Sequence, residues 1–272
     1  MSESLIVRTH ADGVTTLRMN DPRRLNGWTE PMIEAMQAAF AAEAANPDTK
    51  ALVFTGTDPY YCAGVNLGAT LRLGHPKALH RMIVERNQAL FETFINFPKP
   101  ILIAANGPAI GACVTSATLC DAIIASEKAT FSTPFAKLGV PPEGCSSVVF
   151  SRRLGAAAQR ILGPEGWKPD AHEAKAIDLV QAVVPHETLM DAAHAMAREW
   201  VEAGAERSYR NGMTREELLE INARESIQVA DAFLGPEFLM GQCRFLWGKG
   251  KRQPALMFLG LRLTHPLWSK LL

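Results

Sequence analysis

Several large functional classes are excluded by what this sequence lacks. Its 28 lysines and arginines balance 28 aspartates and glutamates, so there is no basic excess of the kind a general nucleic-acid binder carries. The five cysteines, at 62, 113, 120, 145 and 243, are odd in number and form no CxxC pair. A disulfide framework and a zinc site are both disfavoured, and a reducing compartment fits better. GxGxxG after an apolar run, GxxxxGKS/T, HExxH and GxSxG are all missing, which removes the common dinucleotide, P-loop, zincin and serine-hydrolase signatures. The seven histidines form no ligand cluster; His10, near a hairpin, and His172, in a helix's first turn, read as surface residues. The opening MSESLIVRTH has neither the basic region nor the apolar stretch of a secretory leader. Residues 101–125 are apolar, but Asn106, Gly107, Pro108, Thr115, Ser116, Thr118 and Asp121 interrupt them. They read as a buried core segment and not as a membrane span. The chain ends Ser269-Lys270-Leu271-Leu272. A peroxisomal address needs Ser-Lys-Leu at the very end, so the cytoplasm is the expected location and the peroxisome the alternative.

What is present has a clear order. Asp12-Gly13 between apolar runs 5–9 and 14–19 signals a hairpin. Thr29 can cap a helix to residue 45 whose inner face carries Met32, Ile33, Met36, Ala39 and Phe40. A buried strand is expected over 51–55, and a helix after His75-Pro76 to about 97. Then comes the stretch that organises the chain, residues 100–147. It reads as a strand over 101–105, a turn at Asn106-Gly107-Pro108, a buried helix within 109–119, a strand over 122–125, and a loop that delivers Glu143 directly before Gly144. Asp170 with Glu173, and Thr214 with Glu217, form two capping boxes. Strands alternate with helices up to about residue 203, and past Gly204 the signals are helical only. This gives an α/β core over 1–203 and a helical region over 204–272. The apolar tail around 255–263, Trp268 and the final leucines needs a surface to cover, whether its own core or another subunit.

Two turns and one acid carry the chemistry. Cys62-Ala63-Gly64-Val65-Asn66-Leu67 follows the first buried strand, and Asn106 to Ala112 follows the second. Backbone N–H groups exposed at such turns can hold a negatively charged oxygen, and two of them can converge on one oxyanion. Glu143 is either a catalytic carboxylate or a cap on a helix beginning near Gly144. Cys145 is adjacent but has no evident histidine partner, and reads as a packed thiol.

YCAGVNL resembles the (F/Y)xAGx(D/N)(L/I) signature of the crotonase, or enoyl-CoA hydratase/isomerase, superfamily, and NGPAIGACVTSATLCD with Phe131-Ser132-Thr133-Pro134 resembles its second signature. The resemblance covers roughly residues 5–247. It implies a ClpP/crotonase-like spiral of ββα units with an α-helical C-terminal trimerisation region. It also implies an acyl-CoA substrate, no separate cofactor, no metal, and a homotrimer or dimer of trimers. By position it places the oxyanion-hole donors at the Val65 and Ala112 backbones, with Gly64 and Gly111 beside them. Arg23, Arg24, Leu25 and Ala63 would then lie along the CoA moiety. Hydratases of this superfamily use two glutamates, whose positions here hold Thr115 and Phe135. FSTPFAKLGVPPEGCSS is similar to peroxisomal-type Δ3,Δ2-enoyl-CoA isomerases, whose catalytic glutamate matches Glu143. The resemblance therefore implies a 3-enoyl to 2-enoyl shift in fatty-acid β-oxidation, with Phe135 near the substrate. The competing readings are another crotonase-fold hydratase or hydrolase, and an acyl-CoA-binding member without activity.

Overall fold

The fully apolar runs at 51–54 and 101–105 become central strands because both of their faces are covered. In the computed structural model, which describes residues 4–65, 74–209 and 212–272, a hairpin of β1 (Ile6–Ala11) and β2 (Val14–Met19) turns at Asp12-Gly13. β2 then begins a parallel series with β3 (Ala51–Gly56), β4 (Ile101–Ala105), β6 (Ala122–Ser126) and β8 (Ala182–Val184). Together they form a six-stranded sheet. β5 (Ala109–Ile110) and β7 (Phe131–Ser132) pair in a second, two-stranded parallel sheet.

The alternation along each strand sorts side chains into two layers. Leu52, Phe54, Ile101, Ile103, Ile123 and Ala125 face the main core beneath α1 (Glu30–Ala45) and α2 (Pro76–Ile95). Ala51, Val53, Leu102, Ala104, Ala122 and Ile124 face Leu189, Ala193 and Ala197 of α8 (Leu189–Glu202). Phe40, Phe54 and Phe94 meet edge to face in the main core.

Short helices carry the chain around the site: α3 (Ala112–Ala117), α4 (Phe135–Leu138), α5 (Ser146–Leu154), α6 (Ala157–Leu162) and α7 (Ala171–Ala176). The buried helix expected within 109–119 starts only at Ala112. The Ala109 and Gly111 N–H groups donate to Thr130 O and Ser132 O at 2.8 and 2.7 Å, which draws 109–110 into a strand. α9 (Arg215–Phe233), α10 (Pro236–Gly248) and α11 (Arg252–Trp268) follow. Both expected capping boxes form, at Asp170 and Thr214. α9 lies along α2, tied by Asn222 to Gln88 O at 3.1 Å, Ser226 to Asn87 at 2.8 Å and His80 to Asp231 at 2.9 Å. Among the described residues no helix is long and apolar enough to cross a membrane.

One buried carboxylate secures α1 against the hairpin. Glu43 accepts from Arg8 Nε at 2.5 Å, Thr49 Oγ1 at 2.5 Å, Asn46 Nδ2 at 3.1 Å and Thr15 Oγ1 at 3.2 Å. Burial by itself would raise its pKa, but the bonds from Arg8, Thr49 and Asn46 outweigh that and hold it at about 2. Below this carboxylate's ordinary range the unfolded chain takes up a proton that the folded one refuses. The stabilisation is therefore present above pH ~4.5 and lost as pH falls towards ~2. Glu43→Gln is expected to cost about 2–3 kcal/mol at pH 7. It should also flatten the acid limb of the melting temperature; urea denaturation across pH 2–7 measures both.

Candidate active site

The two turns singled out in the sequence are hydrogen-bonded to one another. Cys62 N donates to Pro108 O at 3.2 Å and Ile110 N to Cys62 O at 3.0 Å, a parallel bridge between Cys62 and Ala109. Gly64 follows with φ +83°, and a Cβ there would stand 2.5 Å from Ile110 O. Only glycine permits this approach. The loop at 22–27 stacks on the other side: Ala63 N donates to Leu25 O at 3.0 Å and Trp28 N to Gly64 O at 2.8 Å. Asn26 shapes that loop from within, its Nδ2 donating to Thr57 O and Tyr60 O at 2.6 and 2.7 Å.

Val65 and Ala112 stand at the exits of these two turns, Ala112 as the first residue of α3. Neither backbone N–H has an acceptor among the described residues. Asn66 and Leu67, which complete the first signature, lie outside those residues.

Val65 lines a cavity of about 230 Å³ together with Glu143. Its apolar wall is Trp28, Ile33, Ile83, Leu90, Val229 and Phe233. At its polar rim Arg86 pairs with Glu30 at 2.7 Å. From α2, Ile83, Arg86, Asn87, Ala89 and Leu90 line the cavity.

Glu143 is not the cap of the helix that follows it. Its Oε2 accepts from Asn87 Nδ2 of α2 at 2.8 Å, and its backbone carbonyl accepts from Ser146 Oγ at 2.7 Å. The N–H groups of Cys145 and Ser147 at the start of α5 donate instead to Glu225 of α9, at 2.6 and 2.9 Å. Gly144 and Cys145 both take left-handed φ, +66° and +62°. A Cβ at Gly144 would lie 2.4 Å from the Phe91 ring and 2.6 Å from Thr115 Oγ1, so the loop seats Glu143 directly against the core. Burial raises the Glu143 carboxyl, the Asn87 bond pulls it back, and the nearby Glu225 charge raises it again, to about 7. Cys145 is fully buried, its thiol pushed up by burial, and its Sγ donates to Leu218 O at 3.2 Å. It is a packed thiol.

The remaining expected site residues are dispersed. Arg23 and Arg24 are exposed on a short 3-10 turn, and Arg24 pairs with Asp21 at 3.0 Å. Neither lines the cavity, nor do Leu25, Ala63, Gly64, Gly111 or Ala112. Phe135 does not line it either; it packs in the apolar cluster behind, with Ile83, Val229 and Phe233. Thr115 is buried and its hydroxyl donates to Ala112 O at 3.1 Å. The sequence reading missed Asn87 and Glu225. Neither belongs to a local motif, and only the packing of α2 and α9 brings them to the loop. Among the described residues no group of three or more His, Cys, Asp or Glu side chains could hold a metal ion.

A family profile described as Enoyl-CoA hydratase/isomerase matches residues 9–216. Enoyl-CoA delta isomerase 2 of Rattus norvegicus is 37% identical over 185 residues, covering 67% of this chain and 47% of the rat protein. The chain thus spans about half the length of that relative. An uncharacterised protein of Caenorhabditis elegans is 32% identical over 243 residues, covering 86% of this chain and 92% of the other. In fold, the crystal structure of an enoyl-CoA hydratase/isomerase from Pseudoalteromonas atlantica superposes with a TM-score of 0.77 at 23% identity, covering 90% of this chain and 97% of that one. The sheet with its helical C-terminal region is the crotonase spiral fold, and the chain belongs to the enoyl-CoA hydratase/isomerase family, the crotonase superfamily of enzymes.

Proposed function

We propose that this enzyme moves the double bond of a 3-enoyl-CoA to the 2-trans position, with Glu143 as its single acid–base group. The observation that carries the reading is one buried carboxylate, Glu143, raised to about 7, on the same cavity as Val65, whose N–H has no acceptor among the described residues. Thr115 and Phe135 supply no second carboxylate for activating water. The rat relative named enoyl-CoA delta isomerase 2 supports the same choice.

The steps follow from the groups present. With the thioester oxygen against the Val65 and Ala112 N–H groups, removal of a C2 proton leaves a dienolate whose charge rests on that oxygen. One such donor is worth roughly 3–4 kcal/mol in the transition state. Glu143 takes the proton from C2 and returns it to C4, so no net proton and no water is consumed. A carboxyl near 7 suits both halves, being basic enough to accept and acidic enough to return. The exposed Arg23, which has no ion pair among the described residues, would meet CoA phosphates. β-Oxidation of unsaturated acyl chains is the metabolic setting this activity serves. The exposed Phe245, Trp247 and Leu256 of α10 and α11 would be covered in a homotrimer.

Glu143→Gln is expected to bind acyl-CoA normally by calorimetry while isomerisation falls on the order of 10²–10⁴-fold. Full turnover in that variant would remove Glu143 from the mechanism. In the wild-type enzyme kcat/KM should fall as pH drops below about 7, where Glu143 becomes protonated. Asn87 favours the ionised form, so Asn87→Ala should move that limb to higher pH and lower kcat; a pH–rate profile reads both. Gly144→Ala, strained at φ +66° and blocked by Phe91 and Thr115, should cost about 1–3 kcal/mol of stability. It should also depress kcat more than KM in steady-state assays.

A further inference from the structure

Glu225 is fully buried, yet it lies outside the reacting groups named above. Its two carboxylate oxygens divide their work: Oε2 accepts from Cys145 N at 2.6 Å and Oε1 from Ser147 N at 2.9 Å. These are the N–H groups of the N-cap and the second residue of α5, a helix start where a negative charge is favoured. They belong to the two left-handed residues' exit, directly after Glu143-Gly144. Its helical neighbour Ser226 donates to Asn87 Oδ1 at 2.8 Å, and this turns the Asn87 amide so that its N–H faces Glu143. One turn of α9 therefore grips Glu143 twice, through the backbone behind it and through the amide in front of it.

We infer that Glu225 is a positioning residue for Glu143, a buried carboxylate that pins the loop carrying the base through the Cys145 and Ser147 N–H groups. The inference rests on the reading of Glu143 as the base. Among the described residues the charged groups around the pair are few. From α1 come Glu30 and Glu34, and from α2 comes Arg86, all at the cavity wall, with Arg86 neutralising Glu30. From α9 comes Arg224, which favours the Glu225 anion. The loop adds the buried Cys145 thiol, which stays protonated. Burial raises the Glu225 carboxyl to about 7 against the pull of its two N–H bonds, and when ionised its charge raises the Glu143 carboxyl from within the core.

The test is a pH titration of isotope-labelled glutamate carboxyls by NMR in wild type, Glu143→Gln and Glu225→Gln, together with pH–rate profiles. In Glu225→Gln the Glu143 midpoint and the acid limb of kcat/KM should both move down by about one pH unit. kcat should fall about ten- to a hundred-fold with KM nearly unchanged. Glu225→Asp keeps the charge but cannot span both N–H groups; it should lose kcat while its limb stays near the wild-type position. An unshifted limb in Glu225→Gln, or an unchanged kcat, overturns the proposal. If Glu225→Gln does not fold, the reciprocal shift decides: in Glu143→Gln the Glu225 carboxyl must titrate at lower pH than in wild type, and an unmoved midpoint overturns the coupling. The NMR readout is independent of turnover. A wild type that isomerises nothing but shows the reciprocal shift sinks the functional reading and leaves the coupling standing.

Discussion

The Ile110 carbonyl stands where a side chain on Gly64 would have to go, 2.5 Å from the missing Cβ. This contact between two backbones fixes the rest of the site. It lets the Cys62–Ala109 bridge close, which seats the two strand exits side by side and leaves the Val65 and Ala112 N–H groups without acceptors among the described residues. The third member of the stack, the loop at 22–27, depends on the same alignment because Ala63 and Gly64 are its hydrogen-bond partners. Side chains contribute little to this part of the site. It is built from peptide groups whose positions come from the parallel sheet beneath, where both faces are packed and register has little freedom.

The acids divide by what surrounds them. Glu43, Glu143 and Glu225 are all buried glutamates. Glu43 has a guanidinium and three neutral donors, and its pKa is driven down to about 2. Glu225 has two backbone donors but sits deep in the core, and burial prevails, leaving it at about 7. Glu143 has one neutral donor and an anionic neighbour, and it too rises to about 7. The first environment makes a permanent anion that holds elements together. The other two leave carboxyls that exchange a proton near neutral pH, and of these only Glu143 lines the cavity.

Much of this was legible in the sequence, for physical reasons that differ by element. The continuous apolar runs of β3 and β4 declare strands buried on both faces. The caps at Thr29, Asp170 and Thr214 are local and announce themselves within four residues. Glu143 stands out as an acid isolated among prolines and glycine. What was hidden depends on contacts across long sequence separations. Asn87 looks like any polar residue on an amphipathic helix until α9 docks beside α2. Glu225 sits among Arg224, Ser226 and other polar residues, so nothing in its neighbourhood marks it as fully buried. The short strand that precedes α3 was not foreseen because Ala109 and Gly111 have ladder partners about twenty residues downstream, which local propensity does not register.

Helix α9 holds two parts of the site at once. Glu225 and Ser226 hold the Glu143 loop and the Asn87 amide, and one and two turns further on Val229 and Phe233 line the apolar cavity. A rigid helix transmits any axial slip or rotation to all four positions. On the proposed reading, a substitution that shifted α9 to admit a longer chain past Phe233 would also withdraw the support behind Glu143. Substrate range and proton transfer would then be mechanically linked. Selection for new substrates should therefore proceed by trimming side chains on a stationary α9, and helix movement should be the forbidden route.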